Sequence, residues 1–306
     1  MNAAPQEDSA RETARRGLLF GFVAYALWGV LPIYFKAIDE VAAIDIVAHR
    51  VLWSLPFLAL LLWFSGGVAE VRRVLRERRT MALLTLTAAL IAINWLLYVY
   101  AVTSGHILAG SLGYYLNPIA NVLLGRFILK EPLSRLQWGA VVLAGAGIAA
   151  LAAGALGQLW ISLTLCVTFA TYGLLRKIAP VDSIAGLTVE TAILFPVAAL
   201  WLAWGIASGS PSFGATGTET LLLILAGIVS TTPLLLFTAA ARRLRYSTLG
   251  MLQFLAPTLQ FILAVWLYGE PFTTAHAIAF GAIWIALLLY VTALARQARP
   301  AVTPPE

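Results

Sequence analysis

The chain has 306 residues, of which 61% are hydrophobic and 11% are charged, and its formal net charge is +6. Soluble domains are about 45–50% apolar and about 25% charged, so this composition argues against a large soluble helical protein. The basic residues are scattered between apolar runs, which argues against a nucleic-acid partner, and the single cysteine, Cys166, allows no internal disulfide or paired-cysteine metal site.

Ten apolar segments follow one another along the chain, and each is long enough to cross about 30 Å of hydrocarbon as a helix. The first follows a polar stretch at residues 1–16 and is too long for a secretory signal peptide, so we expect an uncleaved span. The fifth and sixth segments are separated only by Gly154, Gly157 and Gln158. The predicted fold class is an all-α integral membrane protein with ten transmembrane helices at residues 17–36, 43–64, 81–101, 106–126, 134–153, 158–178, 184–206, 219–240, 247–268 and 273–294.

The basic residues alternate between the two sides of this arrangement. Of the 20 Lys and Arg residues, 18 lie in the two tails and in every second loop, Lys36 lies on the other side, and Arg50 lies inside a span. Because cytoplasmic loops carry an excess of Lys and Arg, the pattern predicts that both termini are cytoplasmic, with tails at residues 1–16 and 296–306.

The two halves of the chain carry the same landmarks in the same order. Each recurs 139 to 144 residues later: Trp28-Gly29 as Tyr172-Gly173, Arg50 and Pro56 as Glu190 and Pro196, and Pro118 with Glu131-Pro132 as Pro257 with Glu270-Pro271. An odd number of spans in each repeat inverts the second repeat relative to the first, an arrangement common in transporters. We therefore predict a first five-helix repeat at residues 17–153 and a second, inverted one at residues 154–295.

Arg50 and Glu190 are charged residues that lie well inside predicted spans, at matching positions of the two halves. Each would cost a few kcal/mol in lipid, so each should face the bundle interior, a watery cavity or a polar partner. Arginine stays a fixed cation that can bind an anionic group or close a gate, whereas a buried glutamate can become neutral and is the better candidate for proton coupling. Both also fit a structural role near helix ends. Their depths differ by roughly 10 Å or more, so no direct salt bridge is expected.

Other polar and aromatic side chains recur at helical spacing within the spans. Some occupy matching positions in the two halves, as Gln253 and Gln260 match Tyr114 and Asn121. With the charged residues they predict a substrate-binding or gating site that has aromatic walls and amide groups: Trp28, His49, Arg50, Asn94, Tyr98, Tyr114, Asn117, Asn121, Tyr172, Glu190, Gln253 and Gln260. Buried amides also join packed helices, and this alternative remains open.

Catalytic motifs are not found in the sequence. There is no GxxxxGK[ST] loop, no HExxH pair and no GxSxG elbow, and the three histidines are far apart. We therefore expect no enzyme activity, no cofactor and no metal, and active transport would draw on an ion gradient. The alternatives are a membrane-embedded enzyme acting on a lipid-linked substrate, which needs a convergent acid, base or metal cluster, and a receptor or scaffold, which would be expected to carry soluble appendages.

Several blocks of sequence resemble the RarD branch of the EamA transporters. Among them are AHRVLWS at 48–54, SLGYYLNPIANVLLG at 111–125, GLTVETAILFP at 186–196 and LAPTLQFILAVWLYGEPF at 255–272. The resemblance covers roughly residues 17–295, and it departs from the family pattern at residues 131–133, where EPL replaces an expected ERL. It implies ten helices in two inverted repeats, a place in the drug/metabolite transporter superfamily, the bacterial inner membrane as location, and a link to chloramphenicol sensitivity or resistance.

The functional prediction combines the residues with this resemblance. We expect a secondary active transporter that exports a small amphipathic metabolite or drug by alternating access, with protons as a candidate coupling ion. Its expected partners are the small-molecule substrate and the lipid bilayer, and the oligomeric state is left open.

Overall fold

The structure is a computed structural model that describes residues 3–104, 106–152, 157, 159–209, 213, 216–269 and 274–297. Its regular elements over these residues are all helical. They are α1 (Ala3–Lys36), α2 (Ala43–Phe64), α3 (Val68–Arg76), α4 (Arg78–Thr103), α5 (Ile107–Phe127), α6 (Arg135–Ala152), α7 (Leu159–Ile178), α8 (Ser183–Ala207), α9 (Gly217–Arg243), α10 (Tyr246–Leu252), α11 (Leu255–Ile262), a π-helical turn (Leu263–Leu267) and α12 (Thr274–Gln297).

Eight stretches of the described chain are long and apolar enough to cross a membrane. They are Arg11–Lys36, Ala43–Phe64, Arg78–Ala101, Leu159–Ile178, Ser183–Ala207, Gly217–Arg243, Tyr246–Leu267 and His276–Arg296. The predicted segments 106–126 and 134–153 coincide with α5 and α6, but neither helix belongs to this group of eight, and the apolar part of α6 is the shorter stretch Arg135–Ala150. Length and hydropathy thus support an all-α membrane protein with eight candidate spans.

The outer surface of the bundle is apolar. Trp266 is 87% exposed and Phe64 is 77% exposed, and large aliphatic side chains on most of the long helices are exposed beside them. Soluble monomers rarely expose apolar surface on this scale. In a bilayer the same side chains contact lipid, while the helices satisfy their own backbone hydrogen bonds.

The helices pack around one large hydrophobic cluster, with α6 and α12 forming a separate pair. The large cluster draws on α1, α2, α4 and α7 to α11, and contains Tyr25, Tyr172 and Phe237 among its buried members. In the α6–α12 pair, Ala144 and Ala286 are fully buried within a second cluster. Small side chains on the facing surfaces let these two helices approach closely.

Two local features differ from the sequence prediction. A short helix, α3, forms within the predicted basic loop after α2. It is stabilised because its apolar residues Val68, Val71 and Val74 fall on one face and pack against neighbours that include α8. Helix α1 begins at Ala3, within the predicted polar tail. The predicted break at Gly154 and Gln158, the Glu270-Pro271 landmark and most of the C-terminal tail lie outside the described residues.

The ninth predicted segment is interrupted between α10 and α11. Pro257 has no backbone N–H, so the carbonyl of Gln253 lacks the donor that a continuous α-helix would supply. Instead the Ala256 N–H donates to that carbonyl at 3.3 Å, in a tighter turn. The interruption occurs inside the protein beside a cavity, where non-helical backbone is tolerated at membrane depth.

Candidate functional site

A cavity of about 250 Å³ lies inside the bundle, lined by residues of α1, α2, α4, α5, α7, α9 and α11 and by Gln253, which precedes α11. Eight of the residues that line it are aromatic, and polar groups converge on it from several helices. Seven of the predicted site residues line it: Trp28, Arg50, Asn94, Tyr98, Tyr114, Gln253 and Gln260. Apolar walls with a few convergent polar groups are typical of small-molecule sites.

Arg50 brings the positive charge into this wall. Its Nε donates to the Ser230 hydroxyl at 2.6 Å, and its guanidinium carbon lies 4.6 Å from the centroid of the Trp95 ring. A cation over an indole face is attracted by the ring, so these two contacts fix the position of the guanidinium plane. None of the ion pairs formed by the described residues involves Arg50.

Helices α2 and α9 pack closely together, and this packing places hydroxyl groups near Arg50. At Gly227 an added Cβ would lie 2.6 Å from the backbone nitrogen of Ser54, so glycine is required for this approach. The Ser54 hydroxyl contacts the Arg50 carbonyl and lies 3.3 Å from the Gly227 carbonyl, and it accepts a hydrogen bond from Thr231 at 2.6 Å.

The amides that border the cavity also join helices. Asn94 donates to the Leu165 carbonyl at 2.9 Å and accepts from the Tyr114 hydroxyl at 3.2 Å. Gln260 donates to the Trp28 carbonyl at 3.0 Å. These side chains therefore lie in the wall and connect helices at the same time, so the two alternatives left open by the sequence are not exclusive.

Five predicted residues lie outside the wall: His49, Asn117, Asn121, Tyr172 and Glu190. The His49 ring stacks on Phe213 with centroids 5.4 Å apart. Asn117 is fully buried, and its side-chain amide forms no hydrogen bond with any described residue. Asn121 donates to Gln253 at 2.8 Å and so supports a wall residue from behind.

Glu190 is paired with an arginine that the sequence interpretation assigned to a loop. The Nε of Arg176 lies 3.5 Å from Oε1 of Glu190, and the two side chains are 0% and 1% exposed. Thr87 donates to Glu190 at 2.5 Å, and the Tyr172 hydroxyl lies 3.4 Å from it. The loop assignment of Arg176 was wrong, because the side chain turns inward from the last turns of α7 to meet a buried carboxylate.

Gly186 makes room for this arginine. It lies one turn before Glu190 on α8, and an added Cβ would come within 2.6 Å of Nη2 of Arg176. A glycine on the same helix face as an intramembrane carboxylate was the sequence feature that could have revealed a bulky partner. Helical spacing alone does not show which side chain fills such a space.

Replacing Gly186 with valine is expected to destabilise the protein, because the new side chain would overlap with the guanidinium. Overpacking of this kind costs about 1–3 kcal/mol. Thermal unfolding of the detergent-purified protein measures the effect. Gly281→Val on α12 is the matched control, since nothing lies within 4 Å of a Cβ there. Equal unfolding temperatures for the two variants would contradict the packing described.

A smaller cavity lies between the Glu190 cluster and the central cavity. It has a volume of about 20 Å³, is bordered by Glu190, Ser54 and Thr231, and shares Trp95 and Ser230 with the central cavity. A space of 10–15 Å³ with several polar groups can hold one water molecule. The hydroxyl groups of Ser54, Ser230 and Thr231 border the same small space as the carboxylate of Glu190.

One end of the bundle, termed the basic end, carries Arg73, Lys177 and Arg245 and is closed by several contacts. Lys177 donates to the carbonyl of Ala241 at 2.8 Å, and Arg73 donates to the carbonyl of Pro180 at 2.9 Å. Between this end and the cavity, buried aromatic side chains fill the interior, with Phe169 and Phe237 at a centroid distance of 5.4 Å.

Glu131 is the main acceptor in this closure. Its carboxylate accepts from the backbone N–H of Tyr246 at 2.6 Å and from the N–H and hydroxyl of Ser247 at 2.9 and 2.6 Å. It thereby joins the turn after α5 to the first turn of α10. The backbone N–H groups at the start of a helix have no partner within the helix, and a carboxylate can accept hydrogen bonds from them. The sequence had marked Glu131 only as a repeat landmark.

A bundle of apolar helices around an internal cavity with a fixed cation has the features of a membrane transporter. Residues 15–153 match the model of the EamA-like transporter family. The "Uncharacterized transporter PA0485" of Pseudomonas aeruginosa is 45% identical, over 92% of this chain and 95% of that protein. "Protein RarD" of Escherichia coli is 43% identical, over 92% and 95%. The chain therefore belongs to the EamA-like transporter family, in its RarD branch.

Two further similarities complete the comparison. The "Chloramphenicol-sensitive protein RarD" of Pseudomonas aeruginosa is 32% identical, over 90% of this chain and 93% of that protein. A protein chain solved by crystallography has a similar fold, with a TM-score of 0.70, 21% sequence identity, and coverage of 92% of this chain and 98% of that chain.

Proposed function

We propose that this protein is a secondary active transporter that exports a small amphipathic metabolite or drug across the bacterial inner membrane by alternating access. The observation that carries the proposal is the internal cavity, in which Arg50 and polar side chains converge between aromatic walls. Membership of a transporter family supports the same class.

The proposed topology has ten spans, formed by the eight candidate spans together with α5 and α6. Two inverted five-helix repeats, at residues 17–153 and 154–295, would place both termini in the cytoplasm and the basic end on the cytoplasmic side. Cavity residues such as Phe35, Val47 and Ser111 lie near helix ends opposite to the basic end. The conformation would then be closed toward the cytoplasm.

Glu190 is the proposed proton-coupling group. The groups that face it are Arg176 and Tyr172 from α7 and Thr87 from α4. Protonation of Glu190 would remove its attraction to Arg176 and so loosen the contact between α7 and α8. The small cavity beside Ser54 and Ser230 would carry the proton to and from the substrate site.

Uptake into inside-out vesicles tests the proposed function. Vesicles would receive a defined mixture of metabolites and drugs that includes chloramphenicol, with and without a proton gradient, and mass spectrometry would identify what accumulates. Ser111→Trp should fill the cavity and abolish uptake, because Ser111 lines it. Leu288→Trp is the control, since Leu288 is 67% exposed on the outer surface.

The expected result is accumulation of at least one compound by the wild type and by Leu288→Trp. Collapse of the gradient should reduce it, and Ser111→Trp should match empty vesicles. Identical profiles for the wild type, Ser111→Trp and empty vesicles would overturn the proposal.

A further inference from the structure

We propose that the transported molecule is an organic monoanion, with one carboxylate on a flat apolar body of about one ring. This inference rests on the proposed transport function and assigns the chemical class of its substrate. It is carried by the contrast between the two arginines inside the bundle.

The two arginines inside the bundle differ in how their positive charge is balanced. Arg176 has a protein carboxylate as partner, because Glu190 lies 3.5 Å from it. Arg50 has a hydroxyl and an indole ring but forms no ion pair with any described residue. The described lining of the cavity contains no Asp or Glu. Removing a cation from water without a counter-ion costs several kcal/mol. Folding has already removed Arg50 from water, so a ligand that supplies the negative charge is attracted to Arg50 without that cost being added on binding.

The guanidinium of Arg50 is held in one orientation. The Nε of Arg50 is held by Ser230 at 2.6 Å, and one face of the guanidinium is covered by Trp95. No described residue accepts a hydrogen bond from the two terminal nitrogens. These nitrogens form a flat fork that fits the two oxygens of a carboxylate, so the ligand should approach in the plane of the guanidinium.

The cavity offers one positive charge to a ligand. Arg50 is the one Lys or Arg in the described lining of the cavity. A single cation neutralises a single negative charge. A phosphate monoester would bring nearly two charges and leave the excess in a mostly apolar space, which is unfavourable for the same reason as an unpaired cation.

Aromatic side chains surround the space that the rest of the ligand would occupy. Trp28, Tyr114 and Phe169 form adjoining walls, with ring centroids 5.9 Å apart for Trp28 and Phe169 and 6.5 Å apart for Tyr114 and Phe169. Aromatic walls favour a flat ring in offset or edge-to-face contact. The volume of about 250 Å³ lies below the roughly 300–1,000 Å³ of sites for drug-sized molecules, so a single ring fits best.

Matched ligand pairs test this inference without any change to the protein. Phenylacetate and phenylacetamide, and benzoate and benzamide, have nearly the same shape and differ in charge. Thermal unfolding of the detergent-purified protein in the presence of each compound reports binding, because a ligand that binds only the folded state raises the unfolding temperature. The acids are expected to bind at least tenfold more tightly than their amides.

Variants at Arg50 identify the group responsible. Arg50→Gln should remove the preference for the acid, and Arg50→Lys should keep part of it, since lysine retains the charge but not the fork. Equal or stronger stabilisation of the wild type by the amides, or no stabilisation by the acids, would overturn the inference. So would an acid preference that survives Arg50→Gln.

The vesicle screen separates failure of the substrate class from failure of the transport function. Transported compounds that are neutral or cationic, while carboxylates stay outside, would overturn the monoanion and leave the transporter standing. A screen in which no compound moves would overturn the transport function itself.

Discussion

Replacing either Glu190 or Arg176 with glutamine is expected to lower the free energy of unfolding by about 3–5 kcal/mol, whereas replacing both should cost clearly less than the sum. Each single change leaves a buried charge without a partner, because the two side chains are 1% and 0% exposed. In the double variant neither charge remains. The interaction energy between the two sites should therefore be large and of opposite sign to the single effects.

Denaturation of the detergent-purified proteins measures all four members of this cycle. The pair formed by Glu12 and Arg15 is the control, since its side chains are 39% and 80% exposed, and Glu12→Gln should change stability by less than about 1 kcal/mol. Additive losses in the double variant would show that the two residues do not act as a pair. If the double variant folds and no longer responds to a proton gradient, stability and coupling are separate roles of the same residues.

Replacing Glu131 with glutamine is expected to loosen the basic end and to expose Cys166 to thiol reagents about tenfold more often. Glutamine keeps the shape but loses the charge that accepts three hydrogen bonds from Tyr246 and Ser247. Loss of about 1.4 kcal/mol from the closed state corresponds to a factor of ten in the open population. Cys166 is buried one turn before Ala170, whose carbonyl accepts from the Tyr246 hydroxyl at 2.6 Å.

The rate of labelling by N-ethylmaleimide follows this opening directly, because Cys166 is the single cysteine of the chain. Glu77→Gln is the control at the same end, since the Glu77 carboxylate pairs with the exposed Arg73. An unchanged labelling rate in Glu131→Gln, or an equal increase in Glu77→Gln, would exclude Glu131 as a closing contact.

Much of the cavity was predictable because membrane burial makes polar residues conspicuous. Arg50, Gln253 and Gln260 stand out in apolar runs, and helical spacing with the landmarks shared by the two halves predicted that they belong to one site. Asn117 and Asn121 follow the same spacing but lie behind the wall. Spacing gives the face of a helix and leaves open whether a cavity or another helix lies in front of it.

The positions that could not be predicted depend on contacts between distant segments. Arg176 looks like an ordinary cation after a span, and only the space at Gly186 and the carboxylate of Glu190 draw it inward. Helix α3 was read as a charged loop, because its three valines provide too short an apolar pattern to stand out among the arginines. Eight of the ten predicted apolar segments coincide with candidate spans, since the bilayer dictates their length.

The interruption of the helix at Gln253 places a hinge in the wall of the cavity. Pro257 supplies no N–H donor, so the hydrogen bonds of a continuous helix are already incomplete at this point. A rotation of Tyr246–Leu252 relative to the rest of the segment therefore requires torsional changes at only a few residues. Gln253 lies between α10 and α11 and faces the cavity, so a bound molecule that contacts Gln253 would change the preferred angle between these two helices.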